Sequence, residues 1–311
     1  MPISANEYYR RRFGCKLYKL ALDGGMTCPN RDGTKGDRGC IFCSGAGSGD
    51  FAAPRMGSVT EQIEAAKARV AGKLREGKYI AYFQSFTNTY APLPYLEALF
   101  SEALRHPDIA ALSIATRPDC LPEPVLALLT RLDRIKPVMV ELGLQTIHPA
   151  TADFIRRGYP LSDFDRAVER LSALGLHTVV HVILGLPGET EQMMVQTVRY
   201  VGRSGAKGVK LQLLHVLEGT DLAELWRAGL VPVMSLGDYA RLLGRCLDAL
   251  PEDMVIHRLT GDGAKKDLLA PLWSADKKRV LNYVNRYLSD HGIKWRTVCA
   301  ATEEEASAHV L

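Results

Sequence analysis

The chain has 311 residues, 47% of them hydrophobic, and a formal net charge of +4. That length suits one large α/β unit with an appendage or two ordinary domains, with enough apolar content for a substantial core. No apolar run approaches the roughly 18 residues of a membrane helix, and the opening MPISANEYYRRRFG lacks the apolar stretch of a secretory leader, so a cytoplasmic location without a membrane segment is expected; the small net charge argues neither for nor against nucleic acid.

In chain order, residues 1–15 read as an N-terminal arm. Apolar runs at 19–22, 79–84, 111–115, 138–142, 178–184 and 209–214 then read as strands buried on both faces. Amphipathic stretches alternate with them. Ser58 and Glu61 form a capping box ahead of Val59, Ile63, Ala66, Val70 and Leu74. Pro94 opens a helix, another spans 123–131, and a third runs from Ser162 to a stop at Gly175. Thr190 caps the next, and helices follow near 222–228 and 236–250. Six β-α repeats imply a parallel sheet with outer helices, a partial (β/α)6 TIM-like barrel over residues 16–250. Residues 251–311 form a short C-terminal extension with a strand candidate at 254–256 and a basic helical run at 275–288.

Active residues of parallel α/β folds gather at the carboxyl ends of strands, and there the chain carries LDGGMTCPN, QSFTNTYAP, ATRPD, ELGLQT, LGLPGET and HVLEGT. The first of these leads into Cys28, Cys40 and Cys43, spaced C-x11-C-x2-C. Clustered cysteines in a chain of this kind favour metal over disulfides. A structural zinc needs four closed ligands, and neither Cys15 nor His106, the nearest further candidates, has the spacing. An iron–sulfur cluster with one open iron is the stronger reading and zinc the weaker. The glycine-rich, charged gap NRDGTKGDRG reads as a mobile loop that folds back onto the metal, and the remaining single cysteines read as buried or incidental thiols.

These motifs, together with GGMTCPNRDGT, GCIFC, FQSFTNTYAPL, ATRPDC and LTGDG in order, resemble the YhcC-like family of radical S-adenosylmethionine (SAM) enzymes over about residues 13–296. The superfamily's common spacing is C-x3-C-x2-C; the widened first gap resembles the Elongator catalytic-subunit branch. The resemblance implies a 4Fe-4S cluster on Cys28, Cys40 and Cys43, with SAM chelating the fourth iron. It also implies reductive cleavage of SAM to a 5′-deoxyadenosyl radical, and an electron donor such as flavodoxin or ferredoxin. By the same resemblance Phe42 lies near the adenine. Gln84, Ser85 and Asn88 end the strand that contacts the SAM amino group, although QSFTN replaces the usual GGE-like text and Asn88 is equally a turn former. Gln145 and Arg157 match the SAM-touching Gln and Arg of oxygen-independent coproporphyrinogen oxidase, where a guanidinium suits a carboxylate; Arg156 competes with Arg157. Gly185 and Leu186 match the strand end that supports adenine, or else a plain turn.

His181 stands where those relatives carry a ribose-binding Asp, and reads as a packed core histidine. Arg117 and Asp119 read either as a salt bridge or as SAM or substrate contacts, and Cys120 as a weak candidate hydrogen donor. Glu189 and Glu218 sit on the same rim.

Lys265, Lys266, Lys277, Lys278, Arg279, Arg286, Lys294 and Arg296 are interleaved with Trp273, Tyr283, Tyr287 and Trp295, and Arg10–Arg12 extend the basic character. This reads as a solvated face over core aromatics, or as a tRNA-binding surface. The Elongator likeness, without its acetyltransferase domain, favours modification of a tRNA nucleoside, such as a wobble-uridine side chain. A radical enzyme for a small metabolite or protein is the second reading, and a non-catalytic iron–sulfur protein the third.

Overall fold

All six apolar runs between residues 16 and 250 are strands in the computed structural model, which describes residues 2–53, 55, 57–73, 76–261 and 263–293. Leu74, Cys299, Lys294, Trp295 and Arg296 lie outside the described residues. The elements run β1 (Ile3–Ser4), α1 (Ala5–Phe13), β2 (Leu17–Leu22), α2 (Val59–Val70), β3 (Lys78–Phe83), α3 (Leu93–Arg105), β4 (Ile109–Thr116) and α4 (Glu123–Asp133). Then come β5 (Val138–Gln145), α5 (Pro149–Phe154), α6 (Leu161–Ala173), β6 (His177–Leu184), α7 (Glu191–Arg203) and β7 (Gly208–Leu213). The chain continues through β8 (Val216–Leu217), α8 (Asp221–Arg227), α9 (Leu236–Asp248), β9 (Val255–Arg258), β10 (Leu268–Ala270) and α10 (Lys277–Asp290).

The sheet has eight parallel strands in the order β1-β9-β7-β6-β5-β4-β3-β2. Two more strands therefore join the six expected: β9, from beyond residue 250, pairs with β7, and β1 pairs with β9. The sheet is curled. In a flat sheet β2 and β5 would stand roughly 14 Å apart, three strand spacings, yet Lys19 Nζ on β2 lies 2.5 Å from Glu141 Oε1 on β5. Lys210 Nζ on β7 likewise reaches Tyr82 Oη on β3 at 3.0 Å. Because β1 and β2 are not paired with each other, the result is an open half-barrel.

The helices form where the pattern placed them, for reasons the caps make explicit. Ser58 and Glu61 make the reciprocal capping box of α2, and the Thr190 hydroxyl accepts from Met193 N to start α7. Gly175, at φ +72°, ends the turn after α6. The outward strand faces, such as Leu20, Leu112, Val140, Val180 and Val209, pack against these helices in one continuous core.

The inward face departs from the expectation of strands apolar on both sides. Lys19, Tyr82, Glu141, His181 and Lys210 all point into the half-barrel and line a cavity of about 1110 Å³. Side chains alternate faces along a strand, so one charge in an otherwise apolar run is compatible with burial of the other face.

Helix α1 closes the amino end of the half-barrel, with Tyr9 packed on Leu17, Ile80, Ala111 and Met139. This sets Arg10, Arg11 and Arg12, in the last turn of α1, at the end away from the strand carboxyl termini.

Two buried histidines sit under α1. His177 Nδ1 lies 3.2 Å from Tyr8 Oη and His257 Nδ1 3.4 Å from Tyr9 Oη, and both Nε2 atoms are buried without a partner. Burial, reinforced by Lys19, pulls His177 down to about 4 and His257 well below its ordinary value. The unfolded chain binds these protons near 6.5 and the native chain does not, so stability is lost as pH falls from 6.5 toward 4. Each histidine contributes up to about 1.4 kcal/mol per pH unit within that window. Urea unfolding at pH 7 and pH 5 is expected to show the loss, and His177→Gln to reduce it; an equal loss in the variant contradicts the assignment.

Candidate active site

The eleven-residue gap between Cys28 and Cys40 is pinned, unlike the mobile loop expected. Its backbone folds on itself, with Arg31 N and Asp32 N donating to Cys28 O, Lys35 N to Pro29 O and Gly39 N to Asn30 O. Asn30 Nδ2 donates to Arg156 O at 2.7 Å and Arg157 O at 3.2 Å, and lies 3.6 Å from Cys40 Sγ. Arg31 Nη2 donates to Cys43 O and Ser44 O at 3.1 and 2.8 Å. Lys35 pairs with Asp119 at 2.6 Å, and Arg38 with Asp221 at 2.7 Å. The loop is thus tied to the ends of β4 and β5 and to α8, which brings Cys28 back to Cys40.

Cys28, Cys40 and Cys43 line one end of the interior cavity, and no fourth cysteine does so among the described residues. Cys43 N donates to Cys40 O in a tight turn. The Cys43 thiol is held below its ordinary range, chiefly by the hydrogen bond from Cys40 and then, against burial, by Ser48 and the Arg31 guanidinium. Cys40 is raised in turn by that hydrogen bond and by burial. Three convergent thiols with an amide N–H on one sulfur suit an iron–sulfur cluster with an open iron better than a closed zinc site.

Of the other residues singled out in the sequence, Phe42, Gln84, Gln145 and Arg157 line the same cavity. Gln145 has φ +69°, and its Oε1 is buried without a partner. Four of the five N–H donors of Arg157 go to backbone carbonyls: Tyr159 O twice, Leu144 O and Thr146 O. Its visible work is to shape the end of β5. The competitor Arg156 pairs with Asp221, and Arg156 O lies 3.5 Å from Cys40 Sγ.

Ser85, Asn88, Gly185 and Leu186 are not among the lining residues. Ser85 is buried against Gly49. Asn88 Nδ2 donates to Ala115 O at 2.9 Å, while its Oδ1 is buried and unpartnered. Gly185, at φ +95°, turns the chain off β6. Leu186 packs with Ile41, Ile155, Ile183 and Leu214 beneath the cysteine turn, in a cluster that Phe42 also touches. Arg117 forms a two-pronged pair with Asp119 at 3.0 and 2.9 Å and donates to Arg157 O. Cys120, pushed up to about 12 by burial, lines a separate cavity of about 770 Å³. Glu189 hydrogen-bonds Thr146, and Glu218 pairs with Arg227; neither lines the cysteine cavity. Glu64, His106 and Asp108 converge elsewhere, but Lys67 sits on both carboxylates.

The four non-glycine residues with left-handed backbone among those described are Ser48, Phe86, Gln145 and Arg156. All border the cysteine turn or line its cavity. Such strain costs energy and concentrates at functional sites.

Sequence reasoning missed the interior charges. Glu141 accepts from Lys19 Nζ at 2.5 Å, from Ser113 Oγ at 2.7 Å, from His181 Nε2 at 2.6 Å and from Lys210 Nζ. His181 is therefore a hydrogen-bonded cavity wall, pulled down to about 4 by burial and Lys210. The available signal was a single charge at an inward position in LYKLAL, VMVELGLQ and GVKLQL.

The C-terminal segment divides in two. Lys265, Lys266 and Lys277 line the cavity, whereas Trp273 and Tyr287 pack against the core. Tyr283 is exposed.

Comparison with known proteins agrees with this geometry. The Radical SAM superfamily profile matches residues 32–201 and the Radical_SAM C-terminal domain residues 206–290. YtqA of Bacillus subtilis is 41% identical over 97% of this chain and 94% of its own length. YhcC of Escherichia coli is 37% identical over 91% of each chain. A tRNA uridine(34) acetyltransferase of Methanocaldococcus jannaschii is 27% identical over 60% of this chain, which spans 34% of that protein. The Methanocaldococcus infernus Elp3 structure shares the fold with a TM-score of 0.68 at 18% identity, over 89% of this chain and 64% of that one. No helix among the described residues is long and apolar enough to cross a membrane. With three convergent cysteines at the mouth of a parallel half-barrel and a superfamily profile over more than half its length, this chain belongs to the radical SAM superfamily of enzymes, whose cofactors are a 4Fe-4S cluster and SAM.

Proposed function

We propose that Cys28, Cys40 and Cys43 hold a 4Fe-4S cluster and that the enzyme modifies a nucleoside of tRNA, a wobble-uridine side chain being the preferred target. The observation that carries this reading is a single cavity with the three thiols at one end and Lys265, Lys266 and Lys277 among its walls. It joins a radical site to a surface suited to phosphates. The relatives that act on tRNA uridine(34) support the same substrate class.

When bound, cluster and SAM supply a 5′-deoxyadenosyl radical that abstracts a hydrogen atom from the substrate. The chain's part is positioning. Asn30 and Arg31 hold the cysteine turn through the contacts above, and Phe42 offers a ring to the adenine. The unpartnered Gln145 Oε1, on the cavity wall, would be available to accept from the amino group of bound SAM, and the half-barrel walls would enclose the reacting groups. Arg157 and Arg117 fix the ends of β5 and β4 around the ligand. Gly185 and Leu186 support the adenine side from beneath, with Ser85 and Asn88 behind Gln84 on the other side. A flavodoxin or ferredoxin supplies the electron.

The test is anaerobic reconstitution followed by SAM cleavage in the presence of bulk tRNA from a deletion strain. Formation of 5′-deoxyadenosine together with a changed nucleoside is expected. A deletion strain whose tRNA nucleosides match wild type by mass spectrometry removes the tRNA assignment.

One position tests the loop geometry. Gly158 has φ +76°, and a Cβ there would stand 2.4 Å from Asn30 Oδ1. Gly158→Ala is therefore expected to displace Asn30 from Cys40 and lower iron retention by about 10–100-fold, the usual range for losing an outer-shell partner. Iron titration against a chelator measures this, and unchanged retention rejects the role given to Asn30.

A further inference from the structure

The cavity is strongly cationic. Among the described residues, ten Lys and Arg line it, against two carboxylates, Asp50 and Glu141. Asp50 is at the cysteine end, hydrogen-bonded by Ser44. Deep in the half-barrel, Glu141 is the one carboxylate among the described lining residues, and it is shared by Lys19 and Lys210. Lys210 and Glu141 are almost wholly buried, with side-chain exposures of 5% and 0%, and Lys19 keeps 23%. Tyr82 offers its ring face to both ammonium groups, at 4.8 and 4.4 Å, and its hydroxyl to Lys210. His181 is neutral and donates to Glu141, adding no further positive charge.

Lys19 and Lys210 share one carboxylate, so the pair carries more positive charge than Glu141 balances. Such a charge is costly unless a partner completes it. Burial pulls the Lys210 ammonium down to about 7 in spite of Glu141, and an anion beside it would favour its charged form.

We propose that Lys19 and Lys210 bind a singly charged oxyanion of the substrate inside the half-barrel, with Glu141 as the internal counterion that holds both ammonium groups in place. This rests on the reading of the cavity as the substrate site. A carboxylate on the modified nucleoside and a phosphodiester beside it both supply such a charge. The exposed Lys265, Lys266 and Lys277 are left to the remainder of the polynucleotide backbone.

The test uses the full chain, reconstituted anaerobically, and calorimetric binding of three probes: uridine, 5-carboxyuridine and the dinucleotide UpU. At least one charged probe is expected to bind about tenfold or more tighter than uridine, the range for a hydrogen bond to a charged group. Preference for 5-carboxyuridine identifies a base carboxylate, and preference for UpU a phosphodiester. Lys19→Met and Lys210→Met are each expected to remove the preference while circular dichroism shows a folded chain, and Lys210→Arg to retain part of it. Equal affinity for the three probes, including no measurable binding, overturns the proposal, as does a preference that survives both methionine variants. The substrate reading fails separately: an unchanged tRNA-nucleoside profile in the deletion strain removes it, while an oxyanion preference lost in the methionine variants upholds this site.

Discussion

Cys40→Ala is expected to leave the reconstituted protein with iron at the background of untreated protein. Its SAM cleavage is expected to fall by more than about a hundredfold, beyond the upper range for losing only an outer-shell partner. Cys40 sits at the centre of the site. Its sulfur is approached by Asn30 Nδ2 at 3.6 Å and Arg156 O at 3.5 Å, and it shares a hydrogen bond with Cys43. The fold does not depend on it, because the loop is held by Lys35 with Asp119, Arg38 with Asp221 and the two Arg31 carbonyl contacts. Thermal unfolding of the apo variant should therefore match that of apo wild type. Cys120→Ser and Cys246→Ser are the controls. Both thiols are buried away from the cavity, and both variants are expected to keep full iron. Iron retention by Cys40→Ala equal to that of the controls would falsify the three-cysteine site.

Glu141→Ala is expected to destabilise the fold by about 3–5 kcal/mol, the cost of leaving a buried charge without its partner. Burial alone would raise the Glu141 carboxyl. Lys19, then Lys210 and the hydrogen bond from His181, overcome it and hold the carboxyl well below its ordinary value. With the folded value depressed, the stabilisation is present above about pH 4.5 and is lost as pH falls through the folded value. In Glu141→Ala, Lys19 and Lys210 repel each other inside the half-barrel with no counterion between them. Adding Lys210→Met should recover part of the loss, giving a coupling of about 0.5–3 kcal/mol in a double-mutant cycle. Urea unfolding at pH 7 of wild type, the two single variants and the double variant measures it. Additive effects would mean that the two residues do not share an interaction.

Both expectations concern residues that differ in how visible they are in the chain. The thiol trio is local: Cys40 and Cys43 are separated by two residues, and the spacing alone marks a metal site. The half-barrel was equally legible, because short apolar runs alternating with helices that carry one apolar stripe mark successive β-α units. Helix starts at Ser58 and Thr190 were legible for the same local reason, since a cap is a contact across three residues. Residues 3–13 escaped, because β1 is two residues long and α1 is amphipathic only against the strand ends it covers.

By itself, then, the sequence determined the fold class, the radical SAM motif set and the three thiols. Each depends on residue types at short, fixed separations. Only the tertiary structure decided how the eleven-residue gap closes, since its anchors Asp119, Arg156 and Asp221 lie 84 to 183 positions away from Lys35, Asn30 and Arg38. Only the tertiary structure likewise gathered Lys19, Glu141 and Lys210, from strands separated by more than a hundred residues of chain at the widest, around one carboxylate. A charge in an apolar strand has no readable partner until the sheet curls, and it is the curl that makes these residues neighbours.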